Sequence, residues 1–327
     1  MIEIFRRNLF VNSILLLPYI FILRLNTLIN PVSFALGDDS NVFQKIIFLN
    51  ITNPLLQNVL ANLLIFGQAL LINHIFIKNR LTKQITLFPG LFYIIFVSVI
   101  SENAFFSPIL VANTFIILAV MNVFETYKMP LATSFIFNTG FLLAFASLFY
   151  SLYFAFILFG LVALIQLRSF KPIEKIQFFI GFFVPYFLLF TYRYWNNISF
   201  MDLDFIKDIF FRWPLFRSDS LLVFYLSVSI LLASVILSLA MYGNLTAKKN
   251  IQAQKKIDCI FWILFFCLLS FLIFNSDGLI HLISLAFPLS ILIGCLVSDS
   301  KYKILHELIH ILIISLIFIN QFKLVSF

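Results

Sequence analysis

The stretch that decides the fold is residues 56–77, LQNVLANLLIFGQALLINHIFI, which contains no Asp, Glu, Lys or Arg and is followed at once by Lys78, Arg80 and Lys83. A helix needs about 20 consecutive, mostly apolar residues to cross the ~30 Å hydrocarbon core of a bilayer. Apolar blocks of about 16–25 residues recur along the chain, separated by short charged clusters. The stretch therefore predicts a membrane-spanning helix, and the chain predicts several.

The composition excludes an ordinary soluble protein. Of 327 residues, 62% are apolar and 11% are charged, and the mean hydropathy is +1.06. Soluble domains carry about 25% charged residues. The net charge of +8 is what basic cytoplasmic loops produce, so it indicates no nucleic-acid partner.

Hydropathy predicts an all-α fold, a polytopic transmembrane helix bundle of about eleven spans. The predicted spans cover residues 8–29, 56–77, 85–100, 107–124, 132–148, 151–167, 176–192, 219–243, 258–274, 279–297 and 304–321. Short connections without a Pro/Gly/Ser-rich linker predict one integral membrane domain over residues 1–327. We find no internal repeat, which argues against an inverted-repeat transporter. The first block is too long for a cleavable signal peptide and has no small-residue cleavage site.

Basic residues predict the orientation, since cytoplasmic loops are rich in Lys and Arg. If the N-terminus is cytoplasmic, 15 of the 22 basic residues fall on the cytoplasmic side: Arg6, Arg7, Lys78, Arg80, Lys83, Lys128, Arg168, Lys171, Lys175, Lys248, Lys249, Lys255, Lys256, Lys301 and Lys303. The pattern predicts a cytoplasmic N-terminus and an external C-terminus.

The first long outer segment, residues 30–54, carries the acidic pair Asp38 and Asp39. Three further polar residues fall on the same side of the predicted topology: Glu102, Asp277 and His281. Two interpretations stay open. The acids are solvated in surface loops, or one of them lies at the mouth of an outward-facing cavity as a general base.

The second long outer segment, residues 193–218, combines acidic residues with Arg193, Arg212 and Arg217. Its apolar residues recur at helical spacing between Phe205 and Trp213. This pattern is typical of a short helix lying in the membrane interface.

The motif His306-Glu307-Leu308-Ile309-His310 has the HExxH spacing of zinc proteases. Zinc needs a third protein ligand, and the best candidate, Asp277, falls at the opposite membrane face. We interpret the motif as accidental. The four histidines are too dispersed to share an iron, and the three cysteines show no CxxC spacing, so no metal or cofactor is predicted.

Polar residues inside the spans allow two roles. Asn58, Asn62 and Asn73 follow one stripe of the second span, and buried amides there either hydrogen-bond a neighbouring helix or line a substrate site. Arg24 either extends to the membrane interface or pairs with an acid such as Asp38 or Asp39.

Several segments resemble an uncharacterised family of multi-pass bacterial inner-membrane proteins. They are Asn58 to Asn73 (NVLANLLIFGQALLIN), Phe106-Ser107-Pro108, Phe137-Asn138-Thr139-Gly140, Arg168-Ser169-Phe170 and His281 to Ser290 (HLISLAFPLS). That resemblance implies no activity.

The layout also resembles the GT-C superfamily of glycosyltransferases, which use lipid-linked sugars. It shares the cytoplasmic N-terminus, the many spans with short loops, and the acid soon after the first span. The resemblance implies that Asp38 or Asp39 is the base that deprotonates the acceptor or a metal-linked carboxylate. It also implies that a membrane lipid, a polyprenyl-phosphate sugar, is the donor. Arginines would hold the lipid phosphate. The alternative is a non-catalytic membrane scaffold or envelope-assembly subunit.

Overall fold

A computed structural model describes residues 2–7, 9–31, 51, 53–99, 106–168, 171–197, 221–247, 249–273 and 281–322. Every regular element in these ranges is helical, which confirms the predicted all-α class. The α-helices are α1 Ile2–Phe5, α2 Phe10–Ile14, α3 Leu16–Leu23, α4 Leu25–Ile29, α5 Pro54–Lys78, α6 Phe88–Val99, α7 Pro108–Glu125, α8 Thr133–Phe149, α9 Phe156–Leu167, α10 Pro172–Trp195, α11 Leu221–Ala240, α12 Tyr242–Thr246, α13 Ile251–Ile273, α14 Ile283–Asp299 and α15 Lys303–Phe322. A short 3-10 helix, Ser151–Ala155, precedes α9.

Four helices are long and apolar enough to cross a membrane: α5, α7, α10 and α15. Three of them, α5, α7 and α10, begin with a proline in the first turn, where the missing N–H has no intrahelical role. Several other apolar helices have 10–17 residues. The number of spans therefore stays a prediction, while a membrane helix bundle fits the lengths and composition.

The predicted first span, 8–29, is not one helix. Leu15, between α2 and α3, keeps helical dihedral angles, so Phe10–Leu23 runs on as one helix, and the interruption lies at Arg24, before α4. Pro18 lies inside this helix and leaves the Ile14 carbonyl without its backbone donor. No comparable residue explains the interruption at Arg24.

The centre of the bundle is the pair α6 and α14. Every residue of α6 is buried, and so is nearly all of α14. The two helices approach closely because Gly294 faces Pro89, where an added Cβ would lie 2.8 Å from the proline ring. The hydroxyls of Thr86 and Ser298 share a hydrogen bond of 2.8 Å.

Helices α8 and α10 also cross closely, through a pair of glycines. A Cβ on Gly140 would lie 2.2 Å from the Phe178 carbonyl oxygen, and one on Gly181 would lie 2.2 Å from that of Phe137. Small residues at such crossings let helix backbones approach within a membrane.

Contacts between helices define two ends of the bundle. Gly294 faces Pro89 and Ser298 faces Thr86, so the order of contacts is reversed and α6 and α14 run antiparallel. Gly140 lies next to Phe178, and Ser147 is bonded to Tyr186 further along both helices, so α8 and α10 run parallel. These directions match the alternation predicted from the sequence. Fourteen of the described Lys and Arg residues lie at one end, which we call the basic end. At the other end, which we call the far end, the described basic residues are Arg24 and Arg193.

Candidate functional site

Most of the predicted site residues lie outside the described residues: Asp38, Asp39, Glu102, Arg212, Arg217 and Asp277. The described residues on either side of each of their segments lie at the far end. Asn58 donates to the Thr27 carbonyl (2.8 Å), which joins the end of α4 to the start of α5. The Val99 carbonyl accepts hydrogen bonds from Ser227 (3.1 Å) and Asn320 (3.0 Å), which joins the ends of α6, α11 and α15.

His281 lies at the far end, in a buried polar cluster. It is 4% exposed, and its Nε2 lies 2.8 Å from the Tyr150 hydroxyl. Tyr153 donates to Asn113 Oδ1 (2.5 Å), and Ser284 donates to the His281 carbonyl (2.8 Å). The cluster joins α7, α14 and the turn between α8 and α9. The Tyr150 hydroxyl approaches both ring nitrogens of His281, so the imidazole is buried against a polar partner.

Arg193 lies on the last turn of α10, because that helix continues to Trp195. The sequence predicted the outer loop to begin at residue 193. The Arg193 side chain is 9% exposed, so it faces protein rather than lipid or water. It follows Tyr186 by two helical turns, about 10 Å along the axis, and Tyr186 is bonded to Ser147 at 2.7 Å.

Arg24 is 1% exposed, which contradicts the interpretation that its side chain extends to the membrane interface. It directly follows α3, which packs against α5 and α6. The alternative, a pair with Asp38 or Asp39, falls on residues outside the described ranges. A buried arginine within a predicted span indicates a functional site by default.

Most of the amide stripe on α5 bonds neighbouring helices, which is the first of the two roles that the sequence allowed. Besides the bond of Asn58 to Thr27, Asn73 Oδ1 accepts from the Gly90 backbone N–H (2.7 Å). Gln68 donates to the Leu110 carbonyl (2.7 Å) and accepts from the Tyr93 hydroxyl (2.5 Å). Asn62 differs. It is 1% exposed, and neither atom of its amide has a hydrogen-bond partner among the described residues.

A small apolar groove lies at the far end between α6, α11 and α15, with a cavity volume of about 20 Å³, which is room for about one water molecule. Its lining is mostly aliphatic and includes Val99, Ile230 and Ile317. Ser227 and Asn320 also line it, but both bond the Val99 carbonyl. The groove therefore presents an apolar surface but does not enclose a hydrocarbon chain.

The HExxH motif lies on α15, at the basic end. His310 Nε2 lies 2.8 Å from the Tyr19 hydroxyl, and the two rings are stacked with centroids 6.0 Å apart. This contact joins α15 to α3. In the described part of the chain, no three His, Cys, Asp or Glu side chains are placed to hold a metal ion. The three cysteines, Cys259, Cys267 and Cys295, are free and buried.

Sequence reasoning missed Tyr150, Tyr153 and Asn113, because each looks like an ordinary residue of an apolar span. The available signal was weak. Two tyrosines three residues apart, in a chain with 45 Phe and 11 Tyr, occur at the junction of two apolar blocks. Their partner His281 is 131 residues from Tyr150, so no local pattern joins them.

No match to this chain emerges from protein-family models, curated proteins or solved structures.

Proposed function

We propose that the protein is an inner-membrane glycosyltransferase-like enzyme that uses a polyprenyl-phosphate-linked sugar at the far end of the bundle. One observation carries the proposal: the described flanks of every segment that bears a predicted site residue lie at this end, together with His281 and Arg193. The segments that carry these residues are far apart in sequence, yet the helix ends that flank them lie on one side of the molecule.

In this proposal Asp38 or Asp39 is the general base. The carboxylate takes the proton of an acceptor hydroxyl, the freed oxygen bonds the sugar C1, and the C1–oxygen bond to the polyprenyl phosphate breaks. The phosphate leaves with the electron pair, and Arg193, Arg212 and Arg217 stabilise its charge. Glu102, Asp277 and His281 line the same site and bind substrate hydroxyls.

The apolar groove between α6, α11 and α15 supports a lipid-linked donor. It lies at the same end as the proposed chemistry, and an isoprenoid chain would contact its aliphatic residues from outside rather than enter it. A donor with a lipid tail and an anionic head needs both an apolar surface and cations at one membrane face. The far end offers the two together.

The test is sugar transfer by the full-length protein in vesicles, using a radiolabelled polyprenyl-phosphate sugar and a cell-envelope fraction as acceptor. Asp38→Asn or Asp39→Asn should reduce transfer at least 100-fold (a loss on the order of 10²–10⁴), because an amide cannot accept the proton. The control is Glu3→Gln, since Glu3 is an exposed acid at the basic end paired with Lys303 at 2.7 Å.

Transfer that stays at the wild-type rate in both aspartate variants would contradict the enzyme proposal. The alternative of a non-catalytic scaffold would then lead. Arginine variants at Arg193, Arg212 or Arg217 should weaken donor binding before they slow the chemical step.

A further inference from the structure

The ends of α5 and α7 meet around one buried ammonium group at the basic end. Lys256, near the start of α13, bonds Asn79 Oδ1 just after α5, and its ammonium lies 5.8 Å from the centre of the Tyr127 ring just after α7. Lys78 on α5 also pairs with Glu125 on α7 at 2.7 Å. The loops that follow α5 and α7 therefore leave the bundle side by side.

Two further cations lie where these loops begin. Arg80 follows α5 and Lys128 follows α7. The Lys128 ammonium lies 5.6 Å from the centre of the Tyr127 ring, so Lys128 and Lys256 contact the same ring. Arg80 and Lys128 are exposed, and neither side chain has a hydrogen bond or an ion pair with a residue that the structure describes. Their N–H donors are free to bond an anion.

The backbone at both cations is strained. Arg80 has φ 47° and Lys128 has φ 56°, in the left-handed region. This conformation is unfavourable for a residue with a side chain, and glycine is the residue that most often adopts it after a helix. The sequence therefore has a large cation at each of two positions that glycine would fill more readily. Strained positions of this kind cluster at binding sites.

Both loops also expose large apolar side chains next to their cations. Leu131 is 82% exposed and Met129 is exposed as well, directly after Lys128. In the loop between α5 and α6, Ile85 is exposed. Cations beside exposed apolar side chains are typical of segments at the boundary between lipid headgroups and acyl chains. Basic segments at the cytoplasmic face of a membrane attract anionic lipids.

We propose that Arg80, Lys128, Met129 and Leu131 form a surface that binds the headgroup of an anionic phospholipid at the basic end. The guanidinium fork of Arg80 matches two phosphate oxygens, and the Lys128 ammonium supplies a second positive charge. Leu131 and Met129 contact the acyl chains beside the headgroup. This open surface needs no enclosed cavity. It lies at the opposite end from the proposed chemistry and does not rest on the proposed function.

The experiment measures lipid binding to delipidated full-length protein in detergent by native mass spectrometry. The probes are phosphatidylglycerol, phosphatidylcholine with the same acyl chains, and inorganic phosphate. Wild type should prefer phosphatidylglycerol to phosphatidylcholine by on the order of 25-fold, and should not bind inorganic phosphate. Arg80→Gln and Lys128→Gln should each reduce that preference about 5-fold, and the double variant should lose it.

Two more variants separate the parts of the surface. Leu131→Ser should weaken both lipids by a similar factor, about 5–10-fold, and should leave the preference unchanged, because it removes only an apolar contact. The matched control is Lys301→Gln. Lys301 is an exposed cation of the same end that lies outside this surface, so its loss should leave the preference unchanged.

Three results would overturn the proposal. Equal binding of both lipids by wild type, or a wild-type preference in the double variant, would show that these cations do not bind the headgroup. A reduction by Lys301→Gln as large as that by Arg80→Gln would assign the preference to the overall charge of the basic end. Inorganic phosphate bound as tightly as phosphatidylglycerol would identify a site for free phosphate instead.

Discussion

The two ends of the bundle bury different kinds of polar group. At the basic end, two buried cations bond protein partners: Arg168 pairs with Glu174 at 2.6 Å, and the Lys256 ammonium bonds Asn79 Oδ1. At the far end, several hydrogen bonds join neutral groups, such as Tyr153 with Asn113 and Asn58 with the Thr27 carbonyl. Loss of a charged partner should therefore cost more at the basic end than loss of a neutral hydrogen bond costs at the far end.

The Arg168–Glu174 pair should give the largest stability effect. Both side chains are nearly buried, at 11% and 8% exposure, and Arg168 also donates to the Thr126 carbonyl at 3.5 Å. Glu174→Ala should lower the free energy of unfolding by roughly 3–5 kcal/mol, since it leaves a buried guanidinium without its carboxylate. Denaturant titration of the full-length protein in mixed micelles measures this.

The double variant Arg168→Met with Glu174→Leu is the control. It should lose less stability than Glu174→Ala, about 1–2 kcal/mol, because it leaves no buried charge unpaired and removes only the bonds to the Thr126 carbonyl and the Lys171 N–H. A Glu174→Ala variant as stable as wild type would show that this ion pair does not stabilise the basic end.

Loss of one hydrogen bond in the buried cluster around His281, at the far end, should lower the free energy of unfolding by less. Tyr153→Phe removes the donor to Asn113 Oδ1 and should cost about 1–2 kcal/mol, in line with one buried neutral hydrogen bond. Thermal unfolding in detergent measures the change. Tyr302→Phe is the matched control, since Tyr302 is 76% exposed and should behave as wild type. An unchanged melting temperature for Tyr153→Phe would mean that the cluster does not hold the far end together.

The sequence predicted the helical class and the helix directions well, because both follow from coarse patterns. Residues 85–100 were predicted as a span, and α6 covers Phe88–Val99. The relative directions of α6 and α14 and of α8 and α10 agree with the alternation of basic loops.

Finer features depend on contacts that the sequence does not show. Asn58, Asn62 and Asn73 look equivalent in an apolar helix, yet Asn58 and Asn73 bond neighbouring helices while Asn62 has no partner among the described residues. The spacing shows that the three amides lie on one face of α5. Which of them lacks a hydrogen bond depends on where α3 and α6 lie, and the sequence does not show that. The interruption at Arg24 has the same origin, since no proline or glycine lies next to it.

The smallest expected effect concerns the pH dependence at Lys256, which precedes the predicted span 258–274. The side chain is 2% exposed, and its ammonium lies 5.4 Å from the Phe124 ring centre and 5.8 Å from that of Tyr127. Burial lowers the pKa of Lys256 to about 8, partly offset by the nearby Glu125 carboxylate. In an unfolded chain the pKa of a lysine is about 10.4.

Between about pH 8 and 10 the unfolded chain therefore binds more protons than the folded one, so stability should rise with pH across this window. Below about pH 8 both states are protonated and the slope from Lys256 disappears. Melting temperatures measured in detergent from pH 7 to 10 should show a rise for wild type relative to Lys256→Met, which has no titrating group. Lys255→Met is the matched control, because it removes a neighbouring charge that is less buried. It should keep the rise. A wild-type profile parallel to that of Lys256→Met would show that the Lys256 ammonium is not desolvated. The comparison between buried charges at the basic end and buried neutral groups at the far end would then be weakened.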